Sequence, residues 1–158
     1  MTAVLFALSV TACSTFGFRN PDTRWADYRS WTRITEGRPT IGDPTGYIGE
    51  RHFGSDGYKE VYVNDIGEEV LTSDGPYRFP IGTVLVKEQF VDKNAWLEQN
   101  DPVITVSVKV SDVEGRSNWK WADSYTSVAK ESVFCLGCHS HAYADDFVFT
   151  TERFLSVQ

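Results

Sequence analysis

The 158-residue sequence is short of basic residues, of sulfur and of long apolar runs, and each shortage excludes a class of protein. It has 15 Lys and Arg against 22 Asp and Glu, a net charge of −7. Nucleic acid or an anionic lipid surface is therefore excluded as the main partner, because both require a basic face. No internal stretch reaches the ~18–20 apolar residues of a membrane-spanning helix. With three Cys, three His and one Met, few soft ligands are available to a metal or cofactor.

The first twelve residues are predicted to be a signal peptide of the lipoprotein type. They carry no charge, and their apolar run over residues 3–8 is too short to span a membrane. The ending VTAC resembles a bacterial lipobox, in which Cys13 becomes the lipidated first residue of the mature protein. We therefore expect an exported, periplasmic lipoprotein of a Gram-negative bacterium, held to the membrane only by this anchor. The alternative is a frayed apolar N-terminus with an incidental cysteine.

A turn-rich tether over residues 13–21 is expected to lead into one globular domain over residues 22–158. The composition is 41% hydrophobic, enough for a packed core. The clearest strand is 104–110, in which Ile and Val alternate at period two with Thr105, Ser107 and Lys109, so that one face is buried. Other β-rich runs lie at residues 60–64, 83–88 and 118–121.

Helix is expected only near residues 92–99, near residues 123–132 and around the last cysteines, because few segments keep a period of 3.6 residues. The fold class predicted is mainly β (α+β), an antiparallel sheet with a few peripheral helices and a C-terminal attachment motif. Of Trp119 and Trp121, only Trp119 is expected in the core. The acidic pair Asp145 and Asp146 is expected to lie in a solvated loop.

The strongest chemical signal is the motif CLGCH at residues 135–139. The thiols of Cys135 and Cys138 are spaced to add to the two vinyl groups of one porphyrin, with His139 as the axial iron ligand, which is the c-type haem pattern. A thioredoxin-like redox pair would need a βαβ context, and a structural zinc site would need a second, distant ligand pair. A buried cysteine pair is the remaining alternative. We predict one covalent haem c.

The sixth iron position is expected to be open or weakly capped. Met1 is the only methionine and would leave with the signal peptide, so a His/Met electron-transfer site is excluded within this chain. His141 is too close in sequence to His139 to reach the opposite haem face. His52, a lysine or no residue at all remain for that position. An open iron favours small-ligand binding or catalysis over electron transfer.

The order and spacing of several motifs resemble those of the cytochrome P-460 family and its β-rich relative, cytochrome c′-beta. The motifs, in chain order, are YR-x-W at residues 28–31, VYVN at 61–64, FP-x-GTVLVKE at 79–88, SVK at 107–109, NW at 118–119, C-x-x-CH at 135–139 and FVFT at 147–150. Only the haem motif and the GTV-x-VKE segment are specific. The resemblance implies an antiparallel β domain, commonly a homodimer, with one haem c and an open distal face.

In catalytic members the lysine of the GTV-x-VKE segment is bonded to the porphyrin, and Lys87 stands at that position. A lysine pointing into an apolar pocket has its charged form disfavoured, which frees the amine as a nucleophile. The alternative is that Lys87 faces solvent and protects an edge strand. The family activity is oxidation of hydroxylamine towards nitrous or nitric oxide, with electrons passed to a partner such as a small cytochrome.

Two features leave the enzymatic activity open. Active members carry a distal acid just ahead of the SVK segment, whereas this chain has Ile104, Thr105 and Val106 there. Lys59 occupies the position just before the VYV segment, which is often basic in the family, so the polar support of the site is expected to be altered too. The competing hypothesis is a non-enzymatic cytochrome that binds nitric oxide, in which Phe79 caps an aromatic distal pocket, although a plain core role is the alternative for Phe79. A third hypothesis is a surface-tethered electron carrier.

Overall fold

The computed structural model describes residues 20–35, 40–41, 57–114 and 117–155, and in them the chain forms a six-stranded sheet. The predicted signal peptide, Cys13 and His52 lie outside the described residues. The strands are β1 Thr32–Arg33, β2 Thr40–Ile41, β3 Tyr58–Val63, β4 Val84–Phe90, β5 Val103–Lys109 and β6 Trp119–Ala122. They pair in the order β1-β3-β4-β5-β6, β2 also pairs with β3, and every pairing is antiparallel. The predicted mainly β fold is confirmed.

Short helices connect or flank the strands. They are α1 Asp65–Leu71, α2 Lys93–Leu97, α3 Val133–His139 and α4 Glu152–Leu155, with 3-10 turns at Tyr28–Ser30 and Ser140–Asp145. No helix within the described ranges is long and apolar enough to cross a membrane. Helix α1 was not expected, and it lies close to the sheet because Gly67 has no side chain. A Cβ there would meet the Cγ2 of Thr83 at 2.4 Å.

The predicted helices near residues 92–99 and around the last cysteines are confirmed, but the one near residues 123–132 is wrong. The chain turns there instead, and Lys130 comes back beside Trp121 as an isolated antiparallel bridge. Each of these two backbone N–H groups donates to the other residue's carbonyl, at 2.9 and 3.0 Å. Pairing with β6 thus replaces the helical hydrogen bonds of this segment.

Both faces of the sheet are covered by apolar clusters, because side chains alternate along each strand. The face that we call face A carries the first cluster, with Val61, Val63, Leu85, Trp119 and Trp121 from the strands. The opposite face, face B, carries the second cluster, with Tyr62, Val84, Val86, Val106 and Val108 from the strands.

This arrangement corrects two expectations. Strand β5 is not buried on one side only, since Lys109 on face A is 2% exposed. Trp119 and Trp121 are both buried on face A, because residues two apart on a strand point the same way.

Candidate functional site

The predicted attachment motif forms helix α3, which packs against face A. The helix begins after Ser132, whose Oγ accepts a hydrogen bond from the backbone N–H of Cys135 at 3.2 Å. Cys135 and Cys138 stand three residues apart and so lie on neighbouring turns of one helix side. The two thiols form no disulfide with each other and are partly buried, and Cys135 and Leu136 contact the face A cluster.

His139, the last residue of α3, turns its imidazole into an aromatic environment. Its ring centroid lies 5.7 Å from that of Trp121 and 5.3 Å from that of Phe149. Its Nδ1 lies 2.7 Å from the carbonyl oxygen of Phe147. A carbonyl can only accept, so Nδ1 carries the proton and Nε2 keeps its lone pair. The ring is therefore held in one tautomer and one orientation.

Burial lowers the pKa of His139 to about 4, against the partly offsetting hydrogen bond to Phe147. The positive charge of Lys87 lowers this pKa further. The imidazole is thus neutral near pH 7, the form in which a histidine binds a metal ion.

Lys87 sits in the middle of β4 on face A. Its neighbours across the two adjacent strands are Val61 on β3 and Thr105 on β5. Strand β4 is paired on both sides, so Lys87 is not on an edge strand, and its side chain is partly buried. The structure therefore brings Lys87, Cys135 and His139 to one side of the sheet, although they are far apart in sequence.

Two further residues from the sequence analysis reach the same face. Phe79 is 2% exposed, belongs to the face A cluster and meets Trp119 edge-on, with ring centroids 5.6 Å apart. Lys59 is buried and pairs across the sheet with Gln89. His141, by contrast, is exposed on the 3-10 turn after α3.

The acidic pair after the motif is buried, so the expectation of a solvated loop was wrong. Asp145 and Asp146 are 4% and 7% exposed. The carboxylate of Asp146 accepts two hydrogen bonds from the Nζ of Lys109, at 2.7 and 2.6 Å, and one from the backbone N–H of Phe79 at 2.9 Å. Two opposite charges thus compensate each other beneath the site.

Lys109, Asp146 and the carbonyl of Phe147 were missed as site residues. Lys109 occupies a polar position of an alternating strand, and such a position usually faces solvent. Its partner is 37 residues away in sequence, and no local pattern connects the two. A local signal for Lys109 was the SVK motif at residues 107–109, which does not identify an acidic partner.

A shallow cleft among the described residues lies elsewhere. It has a volume of about 400 Å³, lies on face B and is lined by Arg29, Trp31, Thr32, Arg33 and Tyr62. None of its lining residues is a cysteine or a histidine. The chemistry-bearing residues of the motif are therefore all on the other side of the sheet.

Comparison with known proteins adds one finding. The family model for Cytochrome P460 matches residues 25–150, well over half of the chain and including α3 and every strand described above. A search of the curated proteins found no match.

Proposed function

The chain belongs to the cytochrome P460 family, and from that premise we propose that it is a monohaem cytochrome that oxidises hydroxylamine. Membership makes the chain a haem-binding cytochrome of the c type. The finer assignment, with one haem joined to Cys135 and Cys138 and ligated by His139, is our proposal. The observation that carries it is that α3, His139 and Lys87 all lie on face A.

The residues of α3 fit a covalent haem. Cys135 and Cys138 offer two thiols from one helix side, as two thioether bonds to one porphyrin require. His139 directs Nδ1–H to the Phe147 carbonyl at 2.7 Å, which leaves the lone pair of Nε2 for iron. Hydrogen bonds of this kind orient metal-bound histidines and raise their basicity.

The surroundings of His139 also fit a large apolar group. Trp121 and Phe149 flank its ring. The indole N–H of Trp121 is buried, and within the described part of the chain it has no hydrogen-bond partner. A buried donor of this kind is costly unless something accepts from it. A polar substituent of a bound cofactor would satisfy it.

Hydroxylamine turnover assigns further tasks to the protein. A bound haem would supply the iron at which hydroxylamine is oxidised. Conversion to nitrous or nitric oxide removes protons and electrons in equal numbers, so the chain needs an electron-accepting partner, which we propose is a small cytochrome. Lys87, partly buried on face A, is the residue that we propose is bonded to the porphyrin. Distortion of the macrocycle by such a bond is one way a protein tunes haem.

Two observations favour a second candidate function, nitric oxide binding without turnover. The residue opposite Lys87 on β5 is Thr105, which is not a base at neutral pH. Loss of a general base typically costs a factor of ~10²–10⁴ in rate. Phe79, buried on the same face, would favour a small diatomic gas over a polar ligand.

The absorption spectrum of the dithionite-reduced holoprotein, produced together with the c-type haem maturation machinery, separates the two functions. A broad Soret band displaced far to the red of an ordinary ferrous haem c is expected if Lys87 is bonded to the porphyrin. The variant Lys87→Met should then lose the displacement and the hydroxylamine-dependent reduction of an acceptor. Lys120→Met is the matched control, because Lys120 lies on face B, opposite Val108.

An ordinary five-coordinate high-spin ferrous spectrum in the wild-type protein would contradict the cross-link. Nitric oxide binding without hydroxylamine oxidation would then be the function. Absence of covalently bound haem from a Cys135- and Cys138-containing protein matured in this way would contradict both candidates.

We further propose that the protein is exported to the periplasm, anchored by a lipid on Cys13, and forms a homodimer. The support is the lipobox-like sequence VTAC at residues 10–13 for the anchor and the family resemblance for the dimer. Cys13→Ser should abolish incorporation of labelled fatty acid and release the protein from the membrane fraction. Sedimentation of the released protein measures its oligomeric state.

A further inference from the structure

The loop after α3 passes through two successive left-handed residues. Asp146 has φ +53° and Phe147 has φ +66°. This region is uncommon for residues other than glycine, and a bulky side chain such as phenylalanine rarely adopts it. Such a conformation persists only where neighbouring contacts hold it in place. The contacts that hold this turn are therefore informative about its use.

The Asp146 carboxylate is the main anchor of the turn. It is bound to the Nζ of Lys109, at 2.7 and 2.6 Å, and to the backbone N–H of Phe79 at 2.9 Å. The carbonyl oxygen of Asp146 accepts a bond from Trp119 Nε1 at 2.8 Å. Each of these three partners belongs to the sheet or to the segment that leads into it, so the turn is fixed to face A from three directions.

Lys109 is itself rigidly placed. Its backbone N–H donates to the carbonyl of Thr83 at 2.9 Å, and its carbonyl accepts from Gly82 at 3.0 Å. Its side chain is 1% exposed, against 8% for that of Asp146. A buried pair of this kind cannot exchange its partner for water without a large penalty. The ion pair therefore holds the turn in a fixed position relative to β5.

The turn presents one group to the site, the carbonyl oxygen of Phe147. That oxygen lies 2.7 Å from Nδ1 of His139. The direction of the carbonyl depends on the left-handed dihedral angles of the turn. A relaxed turn, with a φ in the ordinary negative range, would point it elsewhere.

We propose that Lys109 and Asp146 are positioning residues for His139. Their ion pair holds the left-handed turn, the turn aims the Phe147 carbonyl, and the carbonyl orients the imidazole and strengthens it as a donor through Nε2. This inference rests on the proposed role of His139 as the axial iron ligand. The two charges cancel, so the pair acts on the site through geometry more than through its field.

The test is the double variant Lys109→Met/Asp146→Asn, in which both charges go together and no buried ion is left alone. The asparagine oxygen can still accept from Phe79. On the reduced holoprotein, the iron–histidine stretching band in resonance Raman spectra should move to lower frequency by several wavenumbers. The reduction potential should rise, because a weaker hydrogen bond from Nδ1 makes the imidazole a poorer donor.

Asp145→Asn is the matched control. Asp145 is the adjacent buried acid, and its side chain accepts a bond from Thr151 at 3.4 Å. The iron–histidine band and the reduction potential of the Asp145→Asn variant should equal those of the wild-type protein. The conservative variant Lys109→Arg keeps an ion pair and should retain most of the wild-type frequency.

The proposal is overturned if the double variant carries haem normally and shows an unchanged band and potential. Should it fail to fold, Lys109→Gln/Asp146→Asn replaces it, since this neutral pair fills nearly the same space and leaves no buried ion. The same shift is expected there, and an unchanged band again overturns the proposal. Persistence of the wild-type iron–histidine band in His139→Ala would instead overturn the axial role of His139, and this inference with it.

Discussion

Both faces of the sheet bury carboxylates, but each face uses them for a different purpose. On face A, Asp146 is held by a lysine and supports the turn that contacts His139. On face B, Glu88 accepts bonds from the hydroxyl of Tyr28 at 2.5 Å and from Nε of Arg29 at 2.8 Å. The carboxylate on face B thus ties an N-terminal segment to the sheet.

A second buried acid on face B also ties segments outside the central strands to the sheet. Glu60, 1% exposed, accepts from the indole N–H of Trp96 at 2.7 Å and from the hydroxyl of Thr35. Its donors come from peripheral segments that precede β3 or follow β4. Face B therefore uses buried charge to assemble the fold, whereas face A uses it beneath the turn that contacts His139. Substitutions on the two faces should consequently have separable effects on stability and on haem.

The largest effect is expected from removing the two thiols on face A. Cys135→Ala/Cys138→Ala, made in a Lys87→Met background so that no lysine bond can hold the haem, should lose all covalently bound haem, because no other described cysteine remains to form a thioether bond. Haem staining after denaturing electrophoresis and the intact mass measure the loss. Tyr28→Phe, on face B, is the control and should retain haem at the wild-type level. Covalent haem at that level in the triple variant would contradict the assignment of face A as the site.

The second largest effect is expected from removing only one member of the buried ion pair between Lys109 and Asp146. Lys109→Met leaves the Asp146 carboxylate buried without its cation, which should lower the free energy of unfolding by about 3–5 kcal/mol. Urea unfolding followed by circular dichroism measures the change.

Lys120→Met is the control for that prediction. Lys120 is on the neighbouring strand β6 and only partly buried, so its replacement should change the free energy of unfolding by no more than about 0.5 kcal/mol. Equal losses in the two lysine variants would show that the pair on face A is no more important than a surface charge.

A smaller loss of stability, with no change at the haem, is expected from Glu88→Gln on face B. The side chain of Glu88 is fully buried, and glutamine keeps its shape but loses the charge-assisted bonds from Tyr28 and Arg29. The free energy of unfolding should fall by about 1–3 kcal/mol. The Soret band should stay at its wild-type wavelength, and a displaced band would contradict the separation of the faces.

Much of the fold could be predicted because the alternation along a strand and the spacing within a motif are local properties of the sequence. Strand β5 and the motif on α3 are examples, since each is contained in seven residues. Helix α1 was missed because its packing depends on Gly67 lying against Thr83, a contact between distant elements.

The chemical part of the site divides in the same way. Cys135, Cys138 and His139 were found by spacing alone, while the pairing of Lys109 with Asp146 arises only when β5 and the last loop meet. The position of Lys87 on a central strand likewise depends on strand order, which local alternation does not determine.

The smallest expected effect is a loss of folding stability at alkaline pH, caused by buried tyrosines on face B. Burial, and next the hydrogen bond to Glu88, raise the pKa of Tyr28 above its ordinary value, and burial raises the pKa of Tyr62 as well. Above about pH 10 the unfolded chain releases the tyrosine proton before the folded protein does. The folded state then binds more protons than the unfolded state, so stability falls as pH rises.

Tyr28→Phe removes one of these two groups. Near neutral pH it should cost about 0.5–1.5 kcal/mol for the lost hydrogen bond. Between about pH 8 and about pH 11, its urea midpoint should fall less than that of the wild-type protein. Tyr143→Phe, which replaces an exposed tyrosine, is the control and should follow the wild-type curve. If Tyr28→Phe lost stability with rising pH as steeply as the wild-type protein, the raised pKa of Tyr28 would not be the cause of the alkaline loss of stability.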